Sequence, residues 1–131
     1  MKVLRSLLAV TLGFGLFALV MGLATPQMTA FQMNFFVLNL FVTVAAALAA
    51  GYLTGRIAGR LEIPHAAAVG MIAIVVSFLQ MREHGAAQPG PYEMTTAGCA
   101  PVSAMIGAAV AMVQRLRPRP AAPPHTYRSH Q

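Results

Sequence analysis

Charge is scarce in this sequence, at 9% of 131 residues, and only three of the charged residues are acids. A soluble domain carries nearer a quarter. With 57% hydrophobic residues, the chain has too little polar surface to cover a water-soluble fold. Cys99 is the single cysteine, which excludes an internal disulfide and any Cys-x-x-Cys redox relay. The three acids, Glu62, Glu83 and Glu93, all fall outside the middle of an apolar run, so no buried carboxylate is placed to couple transport to protons. Strict apolar/polar alternation is missing too, which excludes barrel strands.

What the sequence has instead is four long apolar windows, at about 3–24, 35–58, 64–82 and 94–114. Each is long enough to cross a hydrocarbon core of about 30 Å at a rise of about 1.5 Å per residue. The expected fold is an all-α integral membrane protein, a four-transmembrane-helix bundle filling residues 1–114, with a basic proline-rich tail over 115–131.

Eight of the nine basic residues sit on one side of that alternating chain: Lys2, Arg5, Arg56, Arg60, Arg115, Arg117, Arg119 and Arg128, against Arg82 alone. The asymmetry places both termini and the 56–65 turn in the cytoplasm. It also accounts for the net charge of +6 without nucleic acid, for which no interleaving of aromatic and basic residues is present.

Two segments carry a second reading. Lys2 and Arg5, an apolar core and Gly22-Leu23-Ala24 resemble a cleavable signal peptide, but the apolar run exceeds an ordinary signal core and a retained helix is expected. The tail, with Pro118, Pro120, Pro123 and Pro124 among its arginines, is expected to be a disordered, extended and solvated terminus that fixes topology; its second reading is a strip held against anionic headgroups.

Read in steps of four, the second window places Asn39, Thr43, Ala47, Gly51, Gly55 and Gly59 on one stripe. The fourth offers a matching face with Cys99, Ser103, Gly107 and Ala111, and the third carries Ala66, Gly70, Ala73 and Ser77. Lipid supplies no hydrophobic drive to join helices, so close approach across small residues takes its place. Asn39, Thr43, Ala47, Gly51, Gly55, Gly59, Ser103 and Gly107 are therefore the expected packing residues. Three smooth faces suit a compact bundle, or a bundle with a further helix from another chain.

The turn between the second and third windows combines Gly59, suited to a left-handed helix cap, with Pro64, suited to a first helical turn. Arg56, Arg60 and His65 around it have a topological role, and as a cluster they are candidates for contact with an anionic lipid or a partner. Glu62 is within reach of either arginine. His65 and His84 stand at opposite ends of the third window, about 28 Å apart at helical rise, so they cannot share a haem or a metal within one chain. The nine methionines are scattered as packing groups would be.

The run "AGYLTGRIAGR", followed by "PHAAAVG" opening a third span and by a small-residue fourth span, resembles a loose group of small, uncharacterised four-span bacterial inner-membrane proteins. The resemblance covers about residues 45–112, and Gly51-Tyr52, Ala58-Gly59-Arg60 and His65-Ala66 carry it most specifically. It implies a bacterial inner-membrane location and four spans, and no activity. Small multidrug transporters are similar in length and span number, but they use a first-helix carboxylate that "LLAVTLGFGLFALVMGLA" lacks.

No nucleophile and base, paired carboxylates or metal-ligand spacing can be assembled on one side of the membrane, so no enzyme activity and no cofactor are expected. The expected partners are membrane lipids and either a second copy or a larger membrane complex. Two functions remain open: a non-enzymatic accessory or assembly subunit, and a minimal channel or carrier using Asn39 and Thr43.

Overall fold

The computed structural model describes residues 2–30, 35–59, 62–83 and 91–117, and every element among them is helical. They are α1 (Lys2–Ala30), α2 (Phe35–Ala58), α3 (Glu62–Glu83) and α4 (Pro91–Leu116). All four are long and apolar enough to cross a membrane. Most of the expected tail, including Arg119 and Arg128, lies outside the described residues, as does Arg60.

α2 matches its apolar window, while the other three helices run further than theirs. α1 continues to Ala30, and α4 begins at Pro91, whose missing N–H costs nothing at a helix start. α3 starts at Glu62, which puts Pro64 in its first turn and a carboxylate where the helix dipole favours one. Arg115, the first residue of the expected tail, instead occupies the last turn of α4. Between α2 and α3, Gly59 takes φ +68°, and its N–H reaches the Gly55 carbonyl at 3.4 Å. That bond closes α2 with a left-handed cap, the conformation glycine adopts without a Cβ penalty.

Packing sets the order around the bundle. α2 makes its broadest contact with α4 and also touches α1 and α3, while α3 touches both α1 and α4. Among the described residues α1 and α4 do not meet, so the helices form a quadrilateral in the order α1, α2, α4, α3, with α2 and α3 across the short diagonal. The register of α1 against α2 is antiparallel: the Arg5 side chain lies against Ile57, Thr54 beside Ala9, and Thr43 beside Met21.

The interior is built from very small side chains. Among the described residues, every buried apolar side chain except Val69 is alanine. Large apolar side chains point outward instead, Leu4, Leu12, Phe41, Val75, Ile106 and Val113 among them. This inverts the usual soluble arrangement, in which the bulky residues fill the core. It fits helices drawn together by close backbone approach rather than by hydrophobic burial.

Glycine decides where that approach is closest. A Cβ at Gly51 would fall onto the Ala104 carbonyl, and one at Gly107 onto the Leu48 carbonyl. At Gly55 it would lie 3.1 Å from the Ala108 Cα, and at Gly70 it would strike Pro101. α1 contributes Gly13, which faces Ala50 and Thr54. Buried hydroxyls are satisfied locally: Thr54 donates to the Ala50 carbonyl at 2.8 Å, and no buried side-chain polar atom among the described residues lacks a partner.

Candidate functional site

At one end of the bundle, α1 and α3 begin while α2 and α4 finish. The last carbonyls of α2 have no helical partners there and need donors from elsewhere. Two arginines from other helices supply them. Arg5, from the first turns of α1, donates through Nε to the Ile57 carbonyl at 2.5 Å. Arg115, from the last turn of α4, donates through Nη1 to the Gly59 carbonyl. A guanidinium suits this position because it satisfies orphan carbonyls and places positive charge at the negative end of the helix dipole.

The second amino group of Arg115 meets Glu62 Oε1 at 2.6 Å. The Glu62 side chain is only 3% exposed, against 46% for Arg115, so this contact supplies the counter-charge that a buried carboxylate requires. One arginine thus ties the ends of α4, α2 and α3 together. Nearby, the Tyr52 hydroxyl donates to Gln114 Oε1 at 2.7 Å, joining α2 to α4 a second time at this end.

Arg5, Gly59, Glu62 and Arg115 border an open recess of about 940 Å³. Arg5 and Ser6 form its α1 wall, His65 and Glu62 its α3 side, and Arg115 its α4 side, with Ile63, Pro64 and Met112 supplying apolar surface between them. The Arg5 amino groups lie over the Gly59 Cα, close enough that a Cβ there would be 2.6 Å from Nη2.

Of the three residues singled out around the turn, two are described, and the structure brings His65 to this recess. Arg56 is exposed and does not line it. Arg60 falls outside the described residues. Arg5, Ser6 and Arg115 were missed, although an antiparallel four-helix order already puts the start of α1 and the end of α4 level with the α2–α3 turn.

The expected packing residues lie within or beside the helix contacts. Ala47, Gly51, Gly55, Ser103 and Gly107 are buried. Thr43 is buried and its hydroxyl lies 3.7 Å from Met21 Sδ, while Asn39 is half-buried and also engaged. Gly59 differs from the rest of its stripe, because it faces the Arg5 guanidinium rather than a neighbouring helix backbone. Among the described residues, no three His, Cys, Asp or Glu side chains converge as a metal-binding group.

Comparison with family models, with curated proteins and with solved structures returns no match to this chain.

Proposed function

We propose that this chain is a non-enzymatic four-span protein of the bacterial inner membrane, with both termini cytoplasmic, and that it serves as an accessory or assembly subunit. Its orientation follows from charge: Arg5, Arg56, Arg115 and Arg117 gather at one end, with Arg82 at the other. The observation that carries the subunit reading is where the small residues are left uncovered. The smooth faces of α2, α3 and α4 are used against one another, whereas α1 keeps an exposed strip of Thr11, Gly15, Ala18 and Gly22. Nothing lies within 4 Å of a Cβ built at Gly15 or Gly22, and α1 is the least buried of the four spans. Such a strip suits close approach of a helix from another chain.

The alternative, a minimal channel or carrier, has less support. Thr43 is engaged with Met21, and α2 meets α4 at backbone distance, which leaves no room along that seam for a conducting path.

Gly15→Leu and Gly22→Leu test the reading, since open space at both sites lets the bundle fold around the larger side chain. Purified in mild detergent, the parent should bring down a partner chain or a second copy of itself. The leucine variants should lose that association at unchanged thermal stability. A parent that purifies alone, or variants that keep every partner, would sink the subunit proposal. Orientation has its own check in a Cys99→Ala background: a cysteine at Gln88 should react with an impermeant maleimide on intact spheroplasts, and one at Ser129 should not.

A further inference from the structure

We propose that the recess at the arginine end binds a phosphate group, carried either by an anionic lipid headgroup or by a small soluble phosphate ester. The inference needs only the geometry of that end and stands apart from the subunit reading.

Two neighbouring donors on the α1 wall define it. Arg5 spends only its Nε on the Ile57 carbonyl, and among the described residues no acceptor takes its two Nη groups. Those groups form the edge of a planar fork that matches two phosphate oxygens. Ser6, the next residue on α1, adds a hydroxyl, and His65, itself engaged, lines the α3 side. A tetrahedral phosphate can meet the fork with two oxygens and the hydroxyl with a third, whereas a carboxylate has only two.

Charge at the recess favours an anion despite the presence of Glu62. That carboxylate is buried and already held by Arg115 at 2.6 Å, so it offers little negative potential to the opening. Among the described residues of the recess Arg5 is left as the uncompensated charge; the positive dipole ends of α1 and α3 are offset by the negative ends of α2 and α4 at the same end, so the preference for an anion rests on that guanidinium. At about 940 Å³ the recess is larger than phosphate alone needs. Ile63, Pro64 and Met112 give it an apolar side against which a glycerol or acyl portion would rest.

The test uses the full chain in mild detergent and two probes. Retention of dioleoyl phosphatidylglycerol, with dioleoylglycerol as the phosphate-free control, is read by native mass spectrometry, and glycerol 3-phosphate binding by calorimetry. Binding of the lipid identifies a headgroup site; binding of glycerol 3-phosphate without the lipid identifies a soluble ester; both support the recess. Arg5→Gln should weaken binding about tenfold, while Arg117→Gln, an equal charge change at the same end but off the recess, should change it less than about twofold. Because Arg5→Gln also uncaps α2, Ser6→Leu provides a second variant that fills the recess and leaves both arginine caps in place. It too should weaken binding about tenfold, with the thermal midpoint retained. Failure of both probes to bind, equal losses from Arg5→Gln and Arg117→Gln, or undiminished binding by Ser6→Leu would overturn the proposal.

Discussion

Helix α2 is held in two different ways along its length. Its middle lies against α4 at backbone distance, with Gly51 over the Ala104 carbonyl and Gly107 over the Leu48 carbonyl. Its end is held by two long, flexible side chains, Arg5 and Arg115, reaching in from α1 and α4. The first contact depends on the lack of side chain and tolerates no addition. The second depends on charge and donor geometry, and its flexible groups can shift to follow a neighbour. The middle therefore sets where the helices stand, while the end leaves an open space that the chain does not fill.

The sharpest way to break this comparison is to add bulk at the seam. Gly51→Leu or Gly107→Leu must push two backbones apart, because the atoms in the way belong to the opposing main chain. Each should cost about 3 kcal/mol, the upper part of the range for overpacked cores. Gly55→Ala should cost less, since its nearest neighbours at 3.1 Å need give by only a few tenths of an ångström. Gly15→Ala, in open space on the same type of helix, should be neutral or stabilise by about 0.5 to 1 kcal/mol through helix propensity. Thermal unfolding in detergent should rank the variants in that order, and equal losses at Gly51 and Gly15 would remove any special role for the seam.

The seam was largely legible in the sequence, and the reason is geometric. A stripe repeating every four residues identifies a helix face whatever the helix packs against, and Ala47, Gly51 and Gly55 need no tertiary information to be seen. What the stripe leaves open is its partner. Gly13 of α1 stood in a window read for its length, for a cleavage signal and for a missing carboxylate but not for packing, and its contact with Ala50 and Thr54 follows from the quadrilateral order, which no single helix encodes. The arginine end was less legible still. Glu62 has arginines close to it in sequence, yet pairs with Arg115 from the other end of the chain, since α4 continues through a residue expected in the tail. Long side chains reach several neighbours, so sequence separation says little about which one they meet. Helix ends are also set by capping partners that the apolar pattern does not contain. The cap at Gly59 was the exception, because a lone glycine between two helical runs has a local reason to turn there.

A smaller effect, and one that sharpens the comparison, is expected from Arg115. Arg115→Gln removes the partner of a buried carboxylate and one of the two arginine caps on α2. Breaking a fully buried pair costs several kcal/mol, but Arg115 is 46% exposed and water screens its side of the contact, so about 1 to 2 kcal/mol is expected. If the loss comes mainly from stranding the carboxylate, Glu62→Gln in the Arg115→Gln background should recover most of it, because a neutral amide is cheaper to bury than an unpaired charge. If instead it comes from the lost cap on the Gly59 carbonyl, the second substitution should recover nothing. Arg115→Lys separates the same terms from the other side: its ammonium keeps the charge, but a single nitrogen lacks the two-point reach of the guanidinium toward Gly59 and Glu62. An intermediate loss for lysine, with recovery in the double variant, would assign the end of α2 to electrostatics. An Arg115→Gln variant as unstable as Gly51→Leu would show that both parts of α2 are held with the same stringency, and the contrast between seam and end would fail.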